Sequence, residues 1–158
     1  MAASTWSLSV PDRERLIKAA AEAKTFAYSR YSKFRVGAAL LTTDGQIIKG
    51  ANIENASYGG TICAERTALV KAVSEGITSF AALAITSDVC SALSPCGICR
   101  QFIREFCAKK MPILLVPADY EERVAKGEED GILETSIDEL LPHGFGPEDL
   151  DLPRKPHT

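Results

Sequence analysis

Two short apolar runs constrain this chain most. Residues 80–86 read FAALAIT and residues 112–116 read PILLV. Neither shows the polar alternation of a half-solvated strand, and both are far too short to span a bilayer. They are the pattern of strands buried on both faces, and such strands need a layer of structure on each side of their sheet. Helical periodicity supplies the layers. Ser9 and Pro11 open a helix that carries Leu16, Ile17, Ala20, Ala23 and Ala27 at helical spacing as far as Tyr28. A second helix is expected over 62–75, with Leu69, Val70 and Val73 on its apolar stripe and Gly76 as its stop. A third is expected over 96–109, carrying Ile98, Phe102, Ile103 and Phe106. Residues 34–43 and 46–53 read as two strands joined by a two-residue Asp44-Gly45 turn. Residues 119–130 are acidic and contain glycine, so an exposed loop is expected there. An edge strand is expected over 132–135, a short helix over 137–141, and a loose tail over 151–158. The result is one mixed α/β sheet with helices on its faces, in a single domain over 1–150.

Composition narrows the function. The 158 residues carry 18 basic and 21 acidic side chains, a net charge of -3, with 46% hydrophobic residues. That excludes a disordered chain and disfavours a general nucleic-acid binder or a membrane protein. Residues 1–10 lack a basic patch followed by an apolar stretch, so a cytoplasmic location, or also a nuclear one, is expected. Five cysteines, an odd number, argue for reduced thiols rather than a disulfide scaffold.

The middle helices locate three of those thiols. If both connect strands by right-handed crossovers running the same way across the sheet, both lie on one face. Their N-termini are then side by side and carry Cys63, Cys96 and Cys99. Helix N-termini stabilise thiolates, and three thiolates suit a Zn²⁺ ion with its fourth position open to water. Glu65, two residues after Cys63, is placed to exchange protons with that water. Arg66 and Arg100 are candidates to donate hydrogen bonds to the sulfurs and offset their charge. Other readings compete. A closed structural zinc site, as in a module for protein interaction, needs a fourth ligand. Cys90 is the available one, since Cys107 lies roughly 12 Å along the helix from Cys99 by helical rise. A dithiol redox motif at Cys96 and Cys99 leaves Cys63 and Glu65 unexplained. Cys90 and Cys107 read best as packing residues.

The motifs come in a recognisable order. They are FRVGAALLT from Phe34, NIENASYG from Asn52, CAERTAL from Cys63, SPCGICRQ from Ser94 and ELLPHGFGPEDL from Glu139. Together they resemble the cytidine deaminases of the small homotetrameric, three-cysteine type, from about Ala19 to Leu150. Zinc deaminases combine such a ligand set with a non-ligand glutamate. The resemblance implies a three-layer α-β-α fold around a mixed, mostly parallel five-stranded sheet. It implies one zinc per subunit on Cys63, Cys96 and Cys99, and Glu65 as proton shuttle. It implies nucleoside contacts from Phe34, Asn52, Glu54 and the main chain at Ala64, and Arg66 neutralising the thiolates. Tyr58 and Phe145 would complete a neighbouring subunit's pocket in a homotetramer. The implied reaction converts cytidine and 2'-deoxycytidine to uridine and 2'-deoxyuridine with release of ammonia, in pyrimidine salvage. Deaminases of the cytosine antibiotic blasticidin S share the zinc motif, but the NIEN and FGPEDL blocks favour the free nucleoside. Two features depart from the family pattern: the long acidic stretch at 127–131, and His143, where a small residue is expected.

Overall fold

The computed structural model describes residues 7–156. The tail expected over 151–158 therefore lies partly outside the described residues. Helix α1 spans Val10–Lys24 and starts as expected: the Ser9 Oγ accepts from the Asp12 amide at 3.3 Å, with Pro11 in the first turn. It ends four residues before Tyr28. The amides of Thr25, Phe26 and Ala27 tighten onto carbonyls three residues back. Tyr28 then leaves the helix and donates to the Asn52 carbonyl at 2.9 Å.

Strands β1 (Val36–Thr42) and β2 (Ile47–Ala51) form the expected hairpin. Its loop has three residues, not two. The Thr42 amide bonds the Gln46 carbonyl at 2.9 Å, and Gly45 takes a left-handed φ of 88°. Helix α2 (Ala64–Ser74) leads to β3 (Phe80–Ser87), and helix α3 (Gly97–Phe106) leads to β4 (Ile113–Val116). Helix α3 stops three residues early because Cys107 turns to extended backbone.

The sheet order is β2-β1-β3-β4-β5, with β5 at Leu133–Thr135. It is mixed, but the expectation of a mostly parallel sheet is corrected. Only β3 and β4 pair in parallel; β1 pairs antiparallel with both β2 and β3, and β4 with β5. The hairpin is the reason. Strands β2, β3 and β4 run the same way, but β1 folds back between β2 and β3. The crossovers β2-α2-β3 and β3-α3-β4 therefore advance in one direction, and both helices cover one face. On that face Ala64, Ala68, Leu69 and Ile103 pack with Leu40, Leu83, Ile113 and Leu115. On the other face Leu16, Ile17 and Ala20 of α1 pack with Ala39, Leu41, Ala82 and Leu114. The three layers stand as expected.

Some sequence expectations fail locally. Residues 120–126 are not a loop but helix α4 (Tyr120–Lys126), which buries none of its residues and so shows no apolar period. It is held by an Asp119–Arg123 ion pair at 2.9 Å and closed by Gly127 at φ 70°. Val70 and Ile98 are exposed at 39% and 65%, not core. Helices α5 (Ile137–Leu140) and α6 (Pro147–Leu150) complete the chain; α6 has no apolar signal of its own. Among the described residues, no helix is long and apolar enough to cross a membrane.

One glycine sets the height of α2 over the sheet. A Cβ at Gly50 would lie 2.6 Å from the Ala64 carbonyl oxygen and collide with the Ala68 backbone. Gly50→Ala must push the N-terminal turn of α2 off β2. It is expected to cost about 1–3 kcal/mol, which is about 2–12 °C of thermal midpoint for a chain of this length. Scanning calorimetry of the two proteins checks this, and an unchanged midpoint would contradict the contact.

Candidate metal centre

Cys63 is the N-cap residue of α2, and Cys96 is the N-cap residue of α3. Neither side chain caps its helix. Cys99 lies in the first turn of α3 and is buried. The three sulfurs all lie within 4.8 Å of one another, and Cys63 and Cys96 are 3.8 Å apart. Two Zn–S bonds of about 2.3 Å at a tetrahedral angle place their sulfurs about 3.8 Å apart. The cluster fits a zinc ion, and the first-turn amides of both helices favour the thiolate form. Hydrogen bonding from the Cys99 thiol, and then from Arg66, holds Cys63 well below the usual thiol range. Cys99 is pushed up in turn because it holds the shared proton and is buried.

Arg66 takes the expected place, with an NH2 nitrogen 3.7 Å from the Cys63 sulfur. Arg100 does not. It donates to the Pro95 carbonyl at 2.7 Å, the Leu140 carbonyl at 2.8 Å and the Ser94 hydroxyl at 2.7 Å. Its work is to hold the loop before Cys96 onto α5. Cys90 is exposed and outside the cluster, which removes the closed four-cysteine reading. Cys107 is buried at the end of α3, and burial pushes its thiol up to about 12.

Glu65 is 5% exposed, in the first turn of α2 beside the sulfurs. Burial raises its carboxyl above the usual range, and the charge on Cys63 acts the same way. A carboxyl so raised holds a proton closer to neutral pH, as a proton shuttle requires.

The other expected site residues lie on several segments of the fold. Ala64 is fully buried at the start of α2. Asn52 is a backbone clamp: its Oδ1 accepts from the Val36 amide at 2.8 Å and its Nδ2 donates to the Phe34 carbonyl at 2.9 Å. Phe34 is half-buried. Glu54 Oε1 accepts from the amides of Tyr31 at 2.9 Å and Ser32 at 3.1 Å. Hydrogen bonding from Ser32 holds the Glu54 carboxyl below its usual range. A cavity of about 360 Å³ lies between Glu54, Asn55, Tyr31 and Tyr58. Tyr58 is 74% exposed, with its ring centroid 5.7 Å from that of Tyr31. Tyr31, which the sequence did not single out, lines the same cavity.

Phe145 is 59% exposed, on a segment hooked onto α3. Gln101 donates to its carbonyl at 3.0 Å, and buried Arg104 pairs with Glu148. His143 stands at φ 60°, a left-handed backbone that explains the expectation of a small residue there.

A sequence model of the cytidine and deoxycytidylate deaminase zinc-binding region matches residues 11–115. The chain belongs to the cytidine and deoxycytidylate deaminase family. It is 50% identical over 139 residues to a cytidine deaminase of Sporosarcina psychrophila, covering 88% of this chain and 95% of that one. It is 49% identical over 140 residues to a cytidine deaminase of Halalkalibacterium halodurans, covering 89% and 98%. Among solved structures, a cytidine deaminase from Burkholderia pseudomallei superposes with a TM-score of 0.73 at 40% identity, over 84% of this chain and 98% of that one. The match to the zinc-binding region takes in Cys63, Glu65, Cys96 and Cys99 of this deaminase-family chain.

Thiol labelling tests the ligand set. In the zinc-loaded protein only exposed Cys90 is expected to react quickly with a thiol reagent. Removing zinc with a chelator is expected to open Cys63 and Cys96, while Cys107 stays protected, as its raised thiol requires. Rapid labelling of Cys96 with zinc bound would contradict the assignment.

Proposed function

We propose that this chain is a zinc-dependent hydrolytic deaminase. It converts cytidine and 2'-deoxycytidine to uridine and 2'-deoxyuridine and releases ammonia, in pyrimidine salvage. The observation that carries the reading is the buried Glu65 carboxyl beside a three-sulfur cluster, in a chain about half identical to proteins named cytidine deaminase. When bound by Cys63, Cys96 and Cys99, zinc supplies a Lewis acid that lowers the pKa of a coordinated water.

This chain's own groups do the rest. Glu65 takes the proton of the attacking water and passes it to N3 of the ring. Once the water oxygen has bonded to C4, the same carboxylate takes the second proton from the new C4 hydroxyl and delivers it to the amine as the C4–N bond breaks, leaving the C4 carbonyl of the product. Its burial keeps bulk water from levelling its pKa. The main chain at Ala64 meets the polar edge of the base, and Phe34 contacts its ring. Asn52 has spent one Nδ2 hydrogen on Phe34; the second is available to a ribose hydroxyl. Glu54 has spent Oε1 on two amides, which leaves Oε2 to accept from the ribose. Arg66 offsets thiolate charge and so keeps the metal electrophilic.

The exposure of Tyr58 and Phe145 supports a homotetramer in which both reach a neighbouring subunit's pocket. Residues 1–150 form one catalytic domain, and 151–158 a tail. Three unpaired thiol ligands fit a reducing compartment such as the cytoplasm, or also the nucleus.

Following the loss of cytidine absorbance tests the chemistry. Glu65→Ala is expected to keep zinc and to lose at least about 10²–10⁴ in kcat. Retained turnover would refute the role of Glu65. Dilution tests the shared pocket: specific activity is expected to fall as sedimentation shows the assembly dissociating. A fully active monomer would exclude trans contributions from Tyr58 and Phe145.

A further inference from the structure

Strand β1 enters the sheet through Phe34 and Arg35, and its first regular pair is Val36 with Ser87. The next residue of β3's chain is Asp88, where the loop toward Cys96 begins. Its carboxylate continues the ladder that the backbone abandons. Oδ2 accepts from the Arg35 main-chain amide at 2.9 Å and from Arg35 Nε at 3.2 Å. Oδ1 accepts from an Arg35 NH2 nitrogen at 2.9 Å. Lys24 Nζ, from the end of α1, lies 3.6 Å from Oδ1 and donates to the Ser87 carbonyl at 2.8 Å. One carboxylate thus sits between two cations and makes three charge-assisted hydrogen bonds to a single residue.

The other side of the same short segment is held by Asn52. It bonds the Phe34 carbonyl and the Val36 amide, which flank Arg35. Residues 34–36 are therefore gripped twice: by Asn52 after β2, and by Asp88 after β3. Asn52 and Phe34 face the proposed nucleoside, whereas Asp88 belongs to the loop that ends in zinc ligands.

We propose that Asp88 is a positioning residue for nucleoside affinity. Acting through Arg35, it fixes Phe34 and the Asn52 clamp relative to the loop that leads to Cys96. The inference rests on Phe34 and Asn52 binding the nucleoside, as read above. It separates two jobs at one end of the sheet. The sulfur cluster is set by the two helix starts, and the nucleoside-facing strand is set by Asp88. Losing Asp88 should therefore loosen substrate binding without disturbing the metal or the proton shuttle.

The test is steady-state kinetics with cytidine, with zinc content and calorimetric binding of uridine measured on the same zinc-loaded preparations. Asp88→Ala is expected to raise KM about tenfold, with kcat within about twofold of the parent. Uridine binding should weaken by the same factor, with zinc unchanged. Asp88→Glu should recover part of the loss. Arg35→Ala, at an exposed position that tolerates truncation, should raise KM about threefold, since the Arg35 amide still reaches Asp88. The double variant should be no worse than Asp88→Ala, because the two changes remove one interaction. Unchanged KM in Arg35→Ala and Asp88→Ala would overturn the proposal. A fall in kcat at constant KM, or loss of zinc, would also overturn it. Phe34→Ala and Asn52→Ala separate the two levels. If neither raises KM, the underlying reading falls; if both do and the Asp88 variants do not, only the present inference falls.

Discussion

The packing of α2 and α3 side by side on one face of the sheet brings three sulfurs within 4.8 Å, and the rest of the site depends on it. That packing follows from chain direction. Strands β2, β3 and β4 run the same way, so two successive right-handed crossovers deliver two helix starts to one end of the sheet. Gly50 lets α2 settle close enough for Cys63 to meet Cys96. A side chain there would lift the helix start that carries Cys63, Ala64 and Glu65 together.

Charge at this point is managed by neighbours rather than by solvent. Thiolates gather at two positive helix ends, and Arg66 adds a full charge next to Cys63. Glu65 is placed where burial and that thiolate charge both favour its protonated form. The same environment lowers the Cys63 thiol and raises both the buried Cys99 thiol and the Glu65 carboxyl. We propose that substrate positioning falls to a different part of the fold, the strand ends around Phe34, Asn52 and Asp88.

The chemistry was more legible in the sequence than the topology. Cys63, Glu65, Cys96 and Cys99 declare themselves by residue type and spacing, because metal and proton chemistry accept few substitutes. Arg66 follows from its neighbours. The insertion of β1 between β2 and β3 was not legible, since a hairpin signal does not say which sheet neighbour comes next. Helix α4 was hidden because it buries none of its residues and has no apolar period. Arg100 was misplaced because sequence adjacency to Cys99 does not fix where a long side chain reaches. Its fork satisfies two carbonyls and a hydroxyl instead. Asn52 and Glu54 were found as candidates through the NIEN block, but their backbone-holding bonds required the folded chain.

The central claim is that one zinc ion on the three cysteines makes this chain a cytidine deaminase. Titrating zinc into metal-free protein while following cytidine turnover tests it most directly. The account predicts activity rising from near zero and breaking sharply at one zinc per chain, with ammonia and uridine released in equal amounts. Turnover at full rate without zinc would contradict it, as would a chain that binds one zinc and releases no ammonia.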